Sequence, residues 1–291
     1  MTACLNVERV EQFSSVRWWQ ALNPAVYLVS ILPGVAVWLL AEKPLSHTAL
    51  WSATLAVVLL QHGINLLNDA KDWQLGADTF KYDSWVRIHD GSVRTAFYHG
   101  LISLTAGGAL GLLVLLLVEQ LWILVFALPL AVLGVLYNAG QRPLSYTAAG
   151  EWATALCYGP GVFGGLWFVA EQPFGWSSLL GMGAFAAFAT ALLFSHQPPQ
   201  IETDRQAGKQ SFAVRHGATV TYRVSAVLLA TSLGLLALAF GLGSRGLAST
   251  LPFVLASAVA VIWVVRVGPN PKRMMLSSTL VFLVEALSRG F

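Results

Sequence analysis

The stretch Asn65-Leu66-Leu67-Asn68-Asp69-Ala70-Lys71-Asp72-Trp73-Gln74-Leu75-Gly76-Ala77-Asp78 gathers acids and amides at the end of a hydrophobic segment. On a continuing helix Asn65, Asn68, Asp69 and Asp72 share one face, because side chains three, four and seven residues apart lie over one another. Carboxylates held that way suit a hard divalent cation, and Mg²⁺ typically bridges one or two carboxylates to a substrate phosphate. The plain alternative is a solvated helix end, where short acidic clusters are frequent. At the edge of a membrane the balance changes, since ionisable groups there are expensive and usually functional.

Composition places these residues at such an edge. The chain has 291 residues, 56% hydrophobic and 11% charged, with a mean hydropathy of +0.65. Soluble domains carry about 25% charged residues, so this chain lacks the polar surface to face water on all sides and must face lipid. The net charge of +3 is scattered over loops rather than gathered in a patch, which argues against nucleic acid. Cys4 and Cys157 make neither a disulfide framework nor a metal cluster. Glu8, Arg9, Glu11 and Arg17 interrupt the first twenty residues, so no cleavable signal is expected.

A helix needs about 20 mostly apolar residues to cross a bilayer. Nine segments are expected to do so: Leu22–Ala41, Thr48–Leu67, Ala96–Val118, Leu121–Asn138, Trp152–Ala170, Ser177–Ser195, Val220–Leu242, Leu247–Val265 and Met274–Leu287. The fold class is thus an all-α polytopic membrane bundle of nine spans around a central cavity, one domain over residues 1–291. Long polar loops follow the second and sixth spans, so they share a membrane face. If the N-terminus lies there too, all Lys and Arg except Lys43, Arg245 and Arg289 fall on that face, and the positive-inside rule makes it cytoplasmic. Glycines inside the spans are read as close helix packing, and the tryptophans as an interfacial belt.

The loop after the sixth span holds a second polar group, from Ser195 to Gly217. His196, Gln200 and Asp204 are spaced by four and fall on one helical stripe, although Pro198-Pro199 must kink or restart that helix. Arg205, Lys209 and Arg215 follow, suited to phosphate oxygens and equally to a topogenic role. Two acidic clusters on one membrane face, with cations nearby, suit Mg²⁺ and a diphosphate. Metal and cations would stabilise charge on a departing pyrophosphate, and the apolar interior would shelter an isoprenoid tail and its carbocation from water.

These residues resemble those of the UbiA-type intramembrane aromatic prenyltransferases, and more narrowly the 1,4-dihydroxy-2-naphthoate prenyltransferases of menaquinone and phylloquinone synthesis. The N-D-x-x-D and following G-x-D pattern is matched by Asn68, Asp69, Asp72, Gly76 and Asp78. Tyr137 before Gln141-Arg142-Pro143, Gly150-Glu151 and Gly159-Pro160 resemble the central stretches. The second motif, D-x-x-x-D with G-K, is met by Asp204, Gly208 and Lys209, with Gln200 in place of the first Asp. A His-rich stretch ending in Gln is similar to the phytyl-transferring branch, so Gln200 reads as a subtype marker.

The resemblance implies transfer of a prenyl group to a naphthoate ring in the membrane, with loss of the ring carboxylate and release of pyrophosphate. Asn68, Asp69 and Asp72 would hold one Mg²⁺, and Asp204, Gln200 and Glu202 another. Lys81, Arg87, Arg142 and Lys209 would meet the diphosphate, with Asn65, Asn68, Asp78, His196, Gln200 and Arg205 completing the substrate contacts. Tyr137 would face the carbocation or orient the diphosphate. Asp90-Gly91-Ser92-Val93-Arg94 superficially resembles a CDP-alcohol phosphotransferase motif, but the trailing acids are absent. An ion-coupled transporter is disfavoured because the spans are nearly free of charge. A UbiA-type enzyme with another acceptor (a different quinone, a pigment or a cyclised terpene) stays open.

Overall fold

The computed structural model describes residues 18–77, 81, 83–243 and 247–290, and among these the regular structure is entirely helical. Asp78, with Cys4, Arg9, Arg17 and Arg245, lies outside the described residues.

The first pass is built in two pieces, α1 (Trp18–Leu22) and α2 (Leu28–Leu40), joined by a 3₁₀ turn, Pro24–Tyr27. The break falls where Asn23 takes φ +44° and Pro24 opens the turn, a position where the missing proline N–H costs nothing. Helix α3 (His47–Leu75) starts at Ser46, whose hydroxyl accepts from Ala49 N, and ends at Gly76, whose φ of +85° suits glycine. With no breaker before Gly76, this helix runs two turns past Leu67, where the apolar run was expected to stop. At roughly 43 Å it exceeds the hydrocarbon thickness of about 30 Å, so the acids ride on its projecting end.

After the short α4 (Trp85–Ile88), helix α5 (Val93–Leu117) packs along α3 through glycines. A Cβ on Gly107 would come within 2.9 Å of Ala56 O and Leu60 N, and Ser103 Oγ donates to Leu59 O at 2.7 Å. Gly107→Ala is therefore expected to destabilise the protein by about 1–3 kcal/mol, since backbone cannot retreat as a side chain does; thermal unfolding in detergent checks this.

Helix α6 (Leu124–Asn138) follows a 3₁₀ turn. The fifth expected span is no single α-helix. It comprises α7 (Ala149–Leu156), a π-helical stretch Cys157–Gly164 and α8 (Gly165–Val169). Pro160 sits inside the widened turn, which accommodates its missing donor. Helix α9 (Trp176–His196) passes through a 3₁₀ turn, Pro198–Gln200, into α10 (Ile201–Gln206), so the diproline restarts the helix rather than ending it. The remaining helices are α11 (Phe212–His216), α12 (Ala218–Leu242), α13 (Leu251–Val267) and α14 (Pro271–Ser288).

Six of the described helical segments are long and apolar enough to cross a membrane: Trp18–Leu40, His47–Leu75, Val93–Leu117, Leu121–Asn138, Trp176–Gln206 and Ala218–Leu242. These six fall on six of the nine expected spans. The other three expected spans are helical, but one is divided by its π stretch, Leu251–Val267 is shorter, and Pro271–Ser288 carries Lys272, Arg273 and Glu285. Long aliphatic side chains such as Leu117, Val125 and Val259 stand outward and exposed, as a lipid-facing surface requires. Inside, Phe163 stacks on Phe185 and Trp167 at centroid distances of 5.3 and 5.8 Å. At the end remote from the acids, buried Glu285 accepts from Arg289, which also donates to Leu39 O. A 440 Å³ apolar recess on the flank is lined by residues of α6, the π stretch, α8 and α9. Its α6 residues lie roughly 10 to 18 Å along that helix from Tyr137.

Candidate active site

The C-terminal turns of α3 carry Asp69 and Asp72, 6% and 3% exposed. That end of a helix is the negative end of its dipole, so two carboxylates there attract cations strongly. Lys81 Nζ lies 2.8 Å from Asp69 Oδ1, and Trp85 N donates to Asp69 Oδ2 at 2.8 Å. Asn68 Nδ2 donates to Asp72 Oδ2.

The second cluster meets the first through Lys209. Its Nζ stands 3.0 Å from Asp72 Oδ2 and 3.6 Å from Asp204 Oδ1, tying the end of α3 to α10. A turn at Gly208 lets Lys209 N donate back to Asp204 O at 2.8 Å, and the ammonium lies 4.9 Å from the centre of the Tyr146 ring. Ser211 Oγ donates to Asp204 Oδ2 at 3.2 Å. Buried charges are tolerated only when so paired.

A third element fixes this loop. Glu151 of α7, 9% exposed, accepts from Phe212 N at 2.8 Å and Arg215 at 3.2 Å. Gln210 N donates to Tyr146 O, and Gln197 Oε1 accepts from Ala213 N. Tyr137, near the end of α6, lies within electrostatic reach of Thr154, Lys209, Asp72 and Glu151. Tyr158 has Ser30, Tyr137 and Tyr27 as neighbours. Three tyrosines thus lie below the acids, towards the membrane interior.

Other expected residues fall differently. Arg87 is buried with its guanidinium 5.7 Å from the Trp73 ring centre, and Asn65 neighbours Tyr27. Glu202 stands on the outer side of α10, 69% exposed at its side chain, paired with Arg205 at 2.9 Å and bonded by Gln206. It is therefore separated from Asp204, and Arg205 is held outward with it. Arg142 and His196 are exposed, and Gln200 is half-buried in the 3₁₀ turn. Among the described residues no three His, Cys, Asp or Glu side chains converge closely enough to form a metal cluster by themselves. Two residues that the sequence reading passed over, Tyr27 and His62, are bonded at 2.6 Å. His62 continues the stripe of Asn65, Asp69 and Asp72 one turn back, which is the signal that identifies it.

A membrane-embedded helix bundle with paired acids and cations at one end defines the class, and sequence comparison specifies it. A family model described as the UbiA prenyltransferase family matches residues 27–282. The chain belongs to this family and is an integral-membrane prenyltransferase. It is 29% identical over 235 residues to the 2-carboxy-1,4-naphthoquinone phytyltransferase of Synechocystis, covering 75% of this chain and 74% of that one. It is 28% identical over 230 residues to the 1,4-dihydroxy-2-naphthoate octaprenyltransferase of Mycobacterium tuberculosis, covering 75% and 76%. The fold is similar to a UbiA homologue of Aeropyrum pernix, with a TM-score of 0.65 at 17% identity over 94% of this chain and 98% of that one. A UbiA homologue of Archaeoglobus fulgidus bound to DMAPP and Mg²⁺ gives a TM-score of 0.66 at 16% identity, over 94% and 99%.

Proposed function

We propose that this enzyme, working as a single domain, transfers a phytyl or polyprenyl group from its diphosphate to 1,4-dihydroxy-2-naphthoate, using Mg²⁺. The observation that carries this reading is the meeting of Asp72 of α3 with Asp204 of α10 around Lys209, with Asp69 one turn back on α3 paired to Lys81. The naphthoate acceptor is supported by the names of the relatives in Synechocystis and Mycobacterium, and Mg²⁺ by the ligands named for the Archaeoglobus structure. The residues fit that ion: the donors are hard oxygens, and Asp72 Oδ1 is buried without a hydrogen-bond partner.

Asn68, Asp69 and Asp72 would hold one ion, and Asp204, with Gln200 nearby in chain, would serve another. Mg²⁺ supplies Lewis-acid neutralisation of charge on the departing diphosphate. Lys81, Arg87 and Lys209 bind and orient that group, and their preset positions lower the cost of the charge that develops. The rings of Tyr137, Tyr158 and Tyr27 face a developing prenyl cation, whose charge aromatic faces attract, while the surrounding apolar helices exclude water. The excess of Lys and Arg on this end of the bundle supports a cytoplasmic site.

Purified protein in lipid, offered 1,4-dihydroxy-2-naphthoate with phytyl, geranylgeranyl and longer diphosphates, is expected to form prenylated product only with Mg²⁺. Absence of product with every donor, together with transfer to another aromatic acceptor, would overturn the naphthoate reading.

A further inference from the structure

Three histidines lie in a row beside the acids, and the diphosphate chemistry leaves them unused. Tyr27 Oη and His62 Nδ1 share a hydrogen bond at 2.6 Å, in which the hydroxyl donates when Nδ1 carries no proton. The His62 ring meets His99 of α5 edge-on at a centroid distance of 5.2 Å and Trp85 at 5.0 Å. His99 in turn has Nδ1 3.2 Å from His89 Nε2, in the loop that follows α4. The row leads from the buried Tyr27 hydroxyl to the turn at Asp90, which is exposed. Its inner end sits at the candidate site, because Tyr27 has Asn65, Asp69 and Tyr158 as electrostatic neighbours. Burial first, and then His99, hold His89 below the ordinary imidazole value, with Asp90 opposing. That keeps the outer histidine neutral near pH 7.

We propose that Tyr27 is a further catalytic residue, receiving the proton of the aromatic acceptor's ring hydroxyl while its own proton passes to His62, which His99 and His89 hold in place. The inference rests on the reading of the acceptor as a hydroxylated naphthoate.

The acceptor O–H bond breaks, its proton goes to Tyr27 Oη, and the Tyr27 proton moves to His62 Nδ1. The resulting aryl oxide sends an electron pair through the ring to the prenyl carbon, forming the C–C bond. The C–O bond to the diphosphate breaks, and its pair leaves with the pyrophosphate. Loss of the ring carboxylate as CO₂ returns its bonding pair to the ring and regenerates the aryl oxide, which recovers the proton from His62 through Tyr27. No net proton is consumed. Packing alone accounts for rings between α3 and α5, but not for a phenol hydroxyl aimed at an imidazole nitrogen beside the site.

The test uses the full-length protein in lipid with two acceptors. One is 1,4-dihydroxy-2-naphthoate, and the other is an analogue whose ring hydroxyl is already ionised at the assay pH through electron-withdrawing substituents. Tyr27→Phe and His62→Asn are expected to lower kcat with the first acceptor by about a hundredfold or more, with the donor KM unchanged, and to approach wild-type rates with the ionised one. Wild-type protein provides a second measurement that no folding defect can obscure. Its single-turnover rate is expected to fall in deuterium oxide with the hydroxyl acceptor and not with the ionised one. Equal losses with both acceptors, unchanged activity in both variants, or identical isotope effects would overturn the inference alone. A wild-type protein that prenylates neither acceptor would overturn the naphthoate reading and this inference with it.

Discussion

Asp72→Ala is expected to lower prenyl transfer by about a hundredfold to a thousandfold while the protein still inserts, folds and purifies. The side chain lies at the centre of the site, with Oδ2 shared by Asn68 and Lys209 and Oδ1 buried without a hydrogen-bond partner. Its removal takes away a metal ligand, and Lewis-acid stabilisation of a departing phosphate is worth several kcal/mol, each 1.36 kcal/mol being tenfold in rate. No comparable packing is lost, because α3 is held against α5 by its apolar and glycine face. The measurement is Mg²⁺-dependent turnover alongside thermal unfolding. Undiminished turnover in Asp72→Ala would sink the proposed metal site. Asp69→Ala is expected to behave similarly and to loosen the loop at Trp85, whose backbone N–H donates to the lost carboxylate.

Lys209→Met has a different signature, a loss of stability. Lys209 stands between two carboxylates, with all three side chains nearly enclosed. Replacing the ammonium with an apolar group of similar length leaves Asp72 and Asp204 facing each other without their shared counter-charge. Breaking a buried pair on one side typically costs about 3–5 kcal/mol, because a charge is left uncompensated. Adding Asp204→Asn to Lys209→Met removes one of the stranded charges, so the double variant is expected to regain much of the lost stability while staying inactive. Comparing unfolding of the two variants in detergent tests this. If the double variant is no more stable than the single one, Lys209 does not act as the counter-charge between the acids.

The fold was legible in the sequence wherever composition alone governs it. Runs of apolar residues between His47 and Leu67, or Ala218 and Leu242, have no stable state in lipid but a helix. Composition does not locate helix ends in water. Leu67 closes the apolar run, yet α3 continues because Asn68 to Leu75 hold no breaker and Gly76 supplies the stop. Periodicity was also blind to the π stretch, since eight apolar and small residues around Pro160 read like any other span. Within the site, Asp69, Asp72, Asp204 and Lys209 could be picked out because each is a charge beside an apolar run. Glu202 belongs to the same string of letters, and only the rotation of α10 separates it from Asp204 and turns it towards Arg205. Arg142 is a surface residue for a similar reason. Tyr27 and His62 escaped notice because a lone histidine or tyrosine in an apolar helix has an ordinary explanation, and only their mutual approach across 35 residues gives them meaning.

The contact between Asp72 and Lys209 spans 137 residues of chain. At synthesis rates of about 5–20 residues per second, Lys209 is made roughly 7 to 27 seconds after Asp72. Through that interval the nascent protein carries one half of its site, with the acids of α3 served by Lys81 but lacking the partner from the second loop. A chain stopped before that loop would keep its membrane anchorage and an acidic helix end, but no means of closing the site around a diphosphate. Completeness of translation is in this sense built into the geometry of the site, and truncated products are expected to be inert rather than partly active.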